Sequence, residues 1–260
     1  MGLTIKEVEQ IKNTLRNSLR NKFQNYKPET ASMPFHTRLL GKDRLALYSF
    51  IHSLSTNFGT SIFEPVSASL ASSRFKIVKT HVSAGNKITE DCLFEIQKIM
   101  DSLTAGSIKP DKEKELELLR AACKDGKLRE VKPTKVDIFL RNDKDEIFLI
   151  DLKTAKPNKG GFKEFKRTLL EWAGVILTEN PEAKVHTLIS IPYNPYAPKP
   201  YSRWTMAGML DLDKELKVAE EFWDFLGGAD SYSGLLSCFE EIGLEMRDEI
   251  DLYFKRFKDL

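Results

Sequence analysis

Two aspartates and a lysine stand where a β-hairpin would bring them together. Two segments rich in β-branched and aromatic residues flank a polar turn, and they read KVDIFL (135–140) and EIFLIDLK (146–153). The midpoint of positions 137 and 151 is 144, inside that turn. The hairpin register therefore predicts Asp137 and Asp151 as cross-strand neighbours, with Cβ atoms ~4.5–5.5 Å apart. Lys153, two residues beyond Asp151, shares its face of the strand.

This arrangement suits metal-assisted hydrolysis. Two carboxylates that close repel each other, and each would bind a proton too readily at neutral pH unless a cation neutralised them. A hard divalent ion with oxygen ligands meets that need, and Mg²⁺ is the usual one where phosphate supplies the remaining coordination. Lys153 would orient a water or offset charge on the scissile phosphate. An acidic hairpin with a merely solvated face would show the same spacing.

The elements around the hairpin predict a mixed sheet flanked by helices, an α/β (α+β) fold. Apolar residues three or four apart predict helices before and after the hairpin, and the apolar run after it predicts a central strand. The crossover helix predicts that this strand runs parallel to the second strand of the hairpin. The predicted helices are 4–26, 38–58, one starting near Thr60, 90–103, 112–124, 162–177, 216–226 and 233–257, and the other strands are 74–82, on weak alternation, and 185–191.

Length and composition predict an ordinary folded protein. The chain has 260 residues, 41% hydrophobic and 30% charged, with a net charge of +2. Without a Pro/Ser linker, one domain is expected, made of N-terminal helices (about 1–130), a hairpin–helix–strand core (about 131–192) and a C-terminal arm with helices (about 193–260). Three scattered cysteines support neither a disulfide framework nor a zinc site.

Several other classes of protein are excluded by missing motifs. No window approaches the ~18 apolar residues of a membrane span, and the N-terminus lacks a signal-peptide core, which predicts a cytoplasmic protein without membrane attachment. Neither phosphate-binding glycine motif of nucleotide enzymes occurs, and the serine-hydrolase elbow is also absent.

Asp137 followed by Asp151-Leu152-Lys153 resembles the signature of the PD-(D/E)xK nucleases. In that superfamily an acid on one strand and an acid-x-lysine on the next hold Mg²⁺ and activate water for phosphodiester hydrolysis. The order of elements agrees, because a hairpin, a helix and a parallel strand after an N-terminal helix form its core. One departure is Val136, where the signature has proline. The resemblance implies that the single predicted domain is built around a PD-(D/E)xK nuclease core.

Longer segments are similar to type II restriction endonucleases, and more narrowly to the group that cuts the interrupted palindrome GGNCC. They read MPFH (33–36), RLLGKDR (38–44), FGTSIFEP (58–65), DLKTAKPN (151–158) and FWDFLGG (222–228). This resemblance implies a Mg²⁺-dependent, sequence-specific endonuclease acting on double-stranded DNA. A near-palindromic target offers two equivalent strands, which implies a homodimer.

A third acid would complete the metal site. Glu64 follows Gly59 by five residues, as the acid of the N-terminal helix does in many such nucleases, but the helix dipole alone also favours a glutamate in a first turn. Glu95 is a second candidate. The residues on either side of it do not show which face of the predicted helix it occupies.

Basic residues near the motif are candidates for DNA contact. Spacing of three and four puts several of them near one helix surface, which predicts phosphate contact and is equally compatible with a solvated face. They are Lys156, Lys159, Lys163, Lys166 and Arg167. Arg203, in the aromatic and proline-rich stretch 193–204, would read guanine if that stretch is a recognition arm, or belong to a structural loop.

Two other functions compete with the restriction enzyme. One is a catalytically silent DNA-binding module on the same fold. The other is a structure-specific repair or recombination nuclease, which would cut forks or ends without regard to sequence.

Overall fold

A computed structural model describes residues 2–30, 33–124, 126–153, 155–157, 161–202 and 208–258. The chain divides into two units, one formed by 1–69 with 228–260 and the other by 70–227. None of the described helices is long and apolar enough to cross a membrane.

The helices and strands follow the predicted order closely. The helices are α1 (Ile5–Asn25), α2 (Pro34–Leu40), α3 (Lys42–Phe58), a π-helical turn (Gly59–Phe63), α4 (Glu64–Ala71), α5 (Glu90–Thr104), α6 (Lys112–Ala122), α7 (Phe162–Glu179), α8 (Leu212–Glu215), α9 (Glu220–Gly227), α10 (Ser231–Glu245) and α11 (Arg247–Lys255). The strands are β1 (Ile77–Val82), β2 (Lys87–Thr89), β3 (Leu128–Glu130), β4 (Val136–Arg141), β5 (Ile147–Leu152), β6 (Val185–Ile191) and β7 (Leu216–Val218).

The 70–227 unit is built on a five-stranded sheet in the order β1-β4-β5-β6-β7. The pairs β1–β4 and β4–β5 are antiparallel, whereas β5–β6 and β6–β7 are parallel. The predicted mixed sheet with flanking helices is confirmed, and so is the parallel crossover through α7. This is the arrangement of a PD-(D/E)xK nuclease-like fold.

Residue alternation explains why the hairpin takes this form. Along β4, Val136, Ile138 and Leu140 are buried, and the residues between them are partly exposed. In α7 the predicted apolar face is buried except at Phe165, which is partly exposed. The indole N–H of Trp172 donates to the carbonyl oxygen of Thr134 at 2.7 Å. That bond ties α7 to the residues just before β4.

The unit of 1–69 with 228–260 is helical. In it α1 packs against α10, and Arg16 and Arg20 pair with Glu245 and Glu249 at 2.7 and 2.6 Å. An aromatic cluster forms its core, comprising Phe23, Tyr26, Phe50, Tyr253, Phe254 and Phe257.

Several predicted elements differ from the structure. The helix predicted at 38–58 is divided at Gly41, whose φ of 90° is open to glycine but strained for other residues. Residues 216–218 form β7 rather than the first turn of a helix, because they complete the sheet beside β6. The small sheet of β2 and β3 was not predicted, since each strand has only three residues.

Candidate active site

The hairpin brings Asp137 and Asp151 to neighbouring positions. The pair Ile138 and Ile150 fixes the β4–β5 register, and continuing it by one residue sets Asp137 opposite Asp151. Asp137 Oδ2 accepts a hydrogen bond of 2.8 Å from the backbone N–H of Leu152, the residue after Asp151. The register worked out from the turn is therefore confirmed.

Burial gives Asp151 an unusual carboxyl group. Its side chain is 8% exposed. Burial raises the pKa of Asp151 from its ordinary value of 3.8 to about 6; the Lys153 ammonium opposes the rise, and the neighbouring Asp137 carboxylate adds to it. Loss of hydration, more than repulsion from Asp137, therefore makes this carboxyl harder to ionise than an exposed one.

Lys153 lies beside Asp151, as its position two residues further on predicted. Its Nζ is 2.7 Å from Asp151 Oδ1, and its side chain is 28% exposed. The backbone N–H of Lys153 donates to the carbonyl oxygen of Ser190 at 2.9 Å, which extends the β5–β6 pairing past Leu152. The lysine is thus held beside Asp151 with its side chain partly exposed.

The raised pKa of Asp151 predicts a stability effect that depends on pH. A carboxyl whose pKa is higher in the folded state contributes stability below its unfolded pKa, and that contribution is lost as the pH rises through about 6. In EDTA, Asp151→Asn should therefore raise the free energy of unfolding at pH 8 by up to about 3 kcal/mol relative to wild type, with little gain at pH 4. Urea denaturation at the two pH values measures this, and an equal change at both would refute it.

A histidine that sequence spacing did not single out also lies at the hairpin. In the β1–β4 register His81 stands opposite Asp137, and a ring nitrogen lies within 4.8 Å of an Asp137 carboxylate oxygen. His81 has a positive φ of 52°, uncommon for a residue other than glycine. The sequence did not indicate this neighbour, because the alternation that predicts β1 is weak. The pairing of β1 with β4 reveals it.

The two candidates for a third acid lie on different helices. Glu64 is the first residue of α4 and belongs to the 1–69 part of the chain, whereas Asp137 and Asp151 belong to the 70–227 unit. Its role as a metal ligand stays a prediction. Glu95 lies on α5, with Oε2 3.5 Å from Nζ of Lys98, and lines a groove of about 590 Å³ with residues of α6.

Lys166 does not lie at a DNA-binding surface, so that prediction is wrong. Its side chain is fully buried, and Nζ contacts Glu115 Oε2 at 2.5 Å and Glu215 Oε2 at 2.7 Å. Nζ of Lys112 pairs with the other Glu215 oxygen at 2.9 Å and donates to the Thr187 hydroxyl at 2.7 Å. Helical spacing grouped Lys166 with exposed neighbours, but this side chain turns inward to a closed ionic cluster that joins α6, α7, β6 and α8.

The remaining basic candidates differ in surroundings. Lys156 and Lys163 are exposed, and Lys156 Nζ lies 5.7 Å from the ring centroid of Tyr196. Arg167 is half-buried and donates to Gln97 Oε1 at 2.6 Å. Lys159 and Arg203 fall outside the described residues.

Part of the proline-rich stretch lies against the loop that follows β5. The Tyr201 hydroxyl donates to the carbonyl oxygen of Ala155 at 3.2 Å, and the rings of Tyr196 and Tyr201 meet edge to face at 5.8 Å. These contacts place aromatic side chains of the 193–202 segment next to the residues that follow the acid-x-lysine motif.

The donors at the hairpin fit a hard divalent cation. Two adjacent carboxylates, one buried with a raised pKa, supply oxygen ligands and a local excess of negative charge. Among the described residues of this hairpin the only ammonium group at the pair is Lys153, which meets one oxygen of Asp151. A bound dication would offset the remaining charge.

The sheet topology is that of a PD-(D/E)xK nuclease-like fold. The comparisons with known proteins identify the family to which the chain belongs. A model of the family "Type II restriction endonuclease, HinfI" matches residues 3–243. The chain belongs to this family and is a type II site-specific deoxyribonuclease. It therefore binds double-stranded DNA and cuts it with the help of a divalent metal.

Individual restriction enzymes are similar along most of the chain. MjaII of Methanocaldococcus jannaschii is 28% identical, over 89% of this chain and 68% of its own length. HgiCII and HgiEI of Herpetosiphon aurantiacus are 24% and 25% identical over 84% of this chain and 80% and 79% of theirs.

Proposed function

We propose that this restriction endonuclease cuts both strands of DNA by Mg²⁺-dependent hydrolysis at the β4–β5 hairpin. Asp137 and Asp151 are the proposed metal ligands, with Glu64 as the third acid. Lys153 is proposed to contact the attacking water or the scissile phosphate. The observation that carries the proposal is the convergence of Asp137, Asp151 and Lys153 at one end of the hairpin, with Lys153 Nζ 2.7 Å from Asp151.

Each of these residues has a definite task in the proposed reaction. A bound Mg²⁺ would polarise the scissile phosphate and lower the pKa of a water. The Leu152 N–H orients the Asp137 carboxylate through one oxygen, and we assign its other oxygen to the metal. Lys153 holds a positive charge beside Asp151, where it can donate to the attacking water or to a non-bridging phosphate oxygen as negative charge builds.

The proposed DNA contacts are the exposed lysines next to the site. Lys156 and Lys163 are exposed. The other members of the proposed set are Lys159, Arg167 and Arg203. Contacts between these cations and phosphates would not depend on the DNA sequence, so other contacts must recognise the bases. Arg203 is the proposed residue that recognises guanine.

The proposed target is GGNCC, on the likeness of the segments 33–44, 58–65, 151–158 and 222–228 to enzymes that cut it. We further propose that the enzyme acts in the cytoplasm, where the DNA lies. Its three free cysteines, all buried, suit a reducing compartment.

Digestion of a long DNA of known sequence tests the proposed function. With Mg²⁺ the purified protein should yield discrete bands, and sequencing of the fragment ends should place every cut at GGNCC. Discrete bands ending at another sequence would reject that target alone. A smear would favour a structure-specific nuclease, and bound but uncut DNA a silent binding module.

We also propose a homodimer as the active form. Each chain carries one Asp137–Asp151 pair, and two antiparallel strands with the same sequence are cut equally by two copies related by a two-fold axis. Sedimentation of the protein on a duplex with one site, in Ca²⁺, should give two chains per duplex. A complex with one chain that still cuts both strands in one binding event would contradict the dimer.

A further inference from the structure

Lys153 is held from a second side by an aromatic ring that the acid-x-lysine motif does not include. Its Nζ lies 4.7 Å from the ring centroid of Phe165, in the first turn of α7, as well as 2.7 Å from Asp151 Oδ1. We propose that Phe165 is a positioning residue that keeps the Lys153 ammonium beside Asp151. This inference rests on the proposed role of Lys153 in cleavage.

The ring of Phe165 is itself fixed by its neighbours. Phe162, which is buried, meets it edge to face with the ring centroids 5.8 Å apart and the planes at 90°. A Cβ on Gly161 would lie 3.0 Å from Phe165 Cζ and 3.2 Å from Cε1. The glycine before α7 thus leaves room for the ring, and Phe162 limits its movement.

An aromatic face suits this task better than a second carboxylate would. The lysine side chain has four flexible carbons, so an unheld ammonium samples many positions. A ring face attracts the cation through its quadrupole without neutralising the charge or accepting a conventional hydrogen bond. The ammonium has three donors, so donors remain for a water or a phosphate oxygen after it meets Asp151.

The test compares two substitutions of the ring. Phe165→Leu keeps much of the volume but removes the aromatic face, whereas Phe165→Tyr keeps the face. In single-turnover cleavage at saturating DNA, Phe165→Leu should be slower than wild type by about 2- to 30-fold, the range expected for a lost cation–π contact. Its affinity for DNA in Ca²⁺ should be unchanged, and Phe165→Tyr should restore the rate.

Two controls separate positioning from packing. Phe94→Leu on α5, where the side chain is 72% exposed, should cut at the wild-type rate. In a Lys153→Ala background, Phe165→Leu should have no further effect, because the ring acts only through the ammonium. Thermal melting of each variant verifies that the fold is intact.

The inference and the proposed function fail in different ways. If Lys153→Ala is slow but Phe165→Leu cuts at the wild-type rate, the positioning role is overturned and the role of Lys153 stands. If Phe165→Leu slows cleavage equally with and without Lys153, or if Phe165→Tyr is as slow as Phe165→Leu, the ring does not act through the ammonium. A Lys153→Ala enzyme with normal cleavage would remove both.

Discussion

Replacing Asp151 by asparagine should abolish cleavage and leave DNA binding in Ca²⁺ largely intact. The change keeps the shape of the side chain and removes the charge that a divalent cation requires from its ligand. Loss of metal-assisted stabilisation of the transition state is worth several kcal/mol, so the single-turnover rate should fall by roughly 10³-fold or more. Cleavage and filter binding on the same duplex measure the two effects.

A matched control lies in the same hairpin. Asp143 is exposed in the turn between β4 and β5, and Asp143→Asn removes the same charge without touching the paired carboxylates. It should cut at the wild-type rate. An active Asp151→Asn enzyme would remove Asp151 from the catalytic assignment, and Asp137→Asn tests its partner in the same assay.

Lys153→Ala should slow the chemical step while barely changing the affinity for DNA. In the proposed reaction its ammonium lies where negative charge grows in the transition state, and loss of one such donor typically lowers a rate by roughly 10²- to 10³-fold. An interaction made mainly in the transition state changes the rate constant more than the binding constant. Single-turnover cleavage at saturating DNA, compared with binding in Ca²⁺, separates the two.

Lys163→Ala is the counterpart, and the opposite pattern is expected. Lys163 is exposed on α7, so a phosphate contact there would exist in the ground state and the transition state alike. Its loss should weaken binding and reduce the slope of log affinity against log salt by about one unit, with a normal cleavage rate at saturation. A normal rate for Lys153→Ala would instead reduce that lysine to an electrostatic anchor.

Local patterns were sufficient to predict the hairpin and its two aspartates. Its strands combine β-branched and aromatic residues with a short polar turn, and a short turn fixes the register almost by itself. The β4–β5 pairing consequently agrees with the arithmetic on positions 137 and 151. The crossover helix α7 was predictable because its apolar residues form a continuous face. The parallel strand β6 was predictable because it is an apolar run that follows this helix.

Features that depend on tertiary neighbours were not predictable from spacing. Lys166 has the helical spacing of a basic surface, and only the positions of Glu115 and Glu215 show that its ammonium is buried. His81 gains its place from the pairing of β1 with β4. Residues 216–218 have helical periodicity, but hydrogen bonds to β6 make them a strand.

Titration of the metal into the enzyme tests the central claim most directly. Ca²⁺ is added to each protein bound to an uncut duplex, and calorimetry measures the binding of the ion. The proteins compared are wild type, Asp137→Asn, Asp151→Asn and the Asp143→Asn control. Binding should be tight in wild type and in the control, and strongly weakened in both other variants, because each loses a charged ligand. Equal affinity and stoichiometry in all four proteins would contradict a cation site at the β4–β5 hairpin.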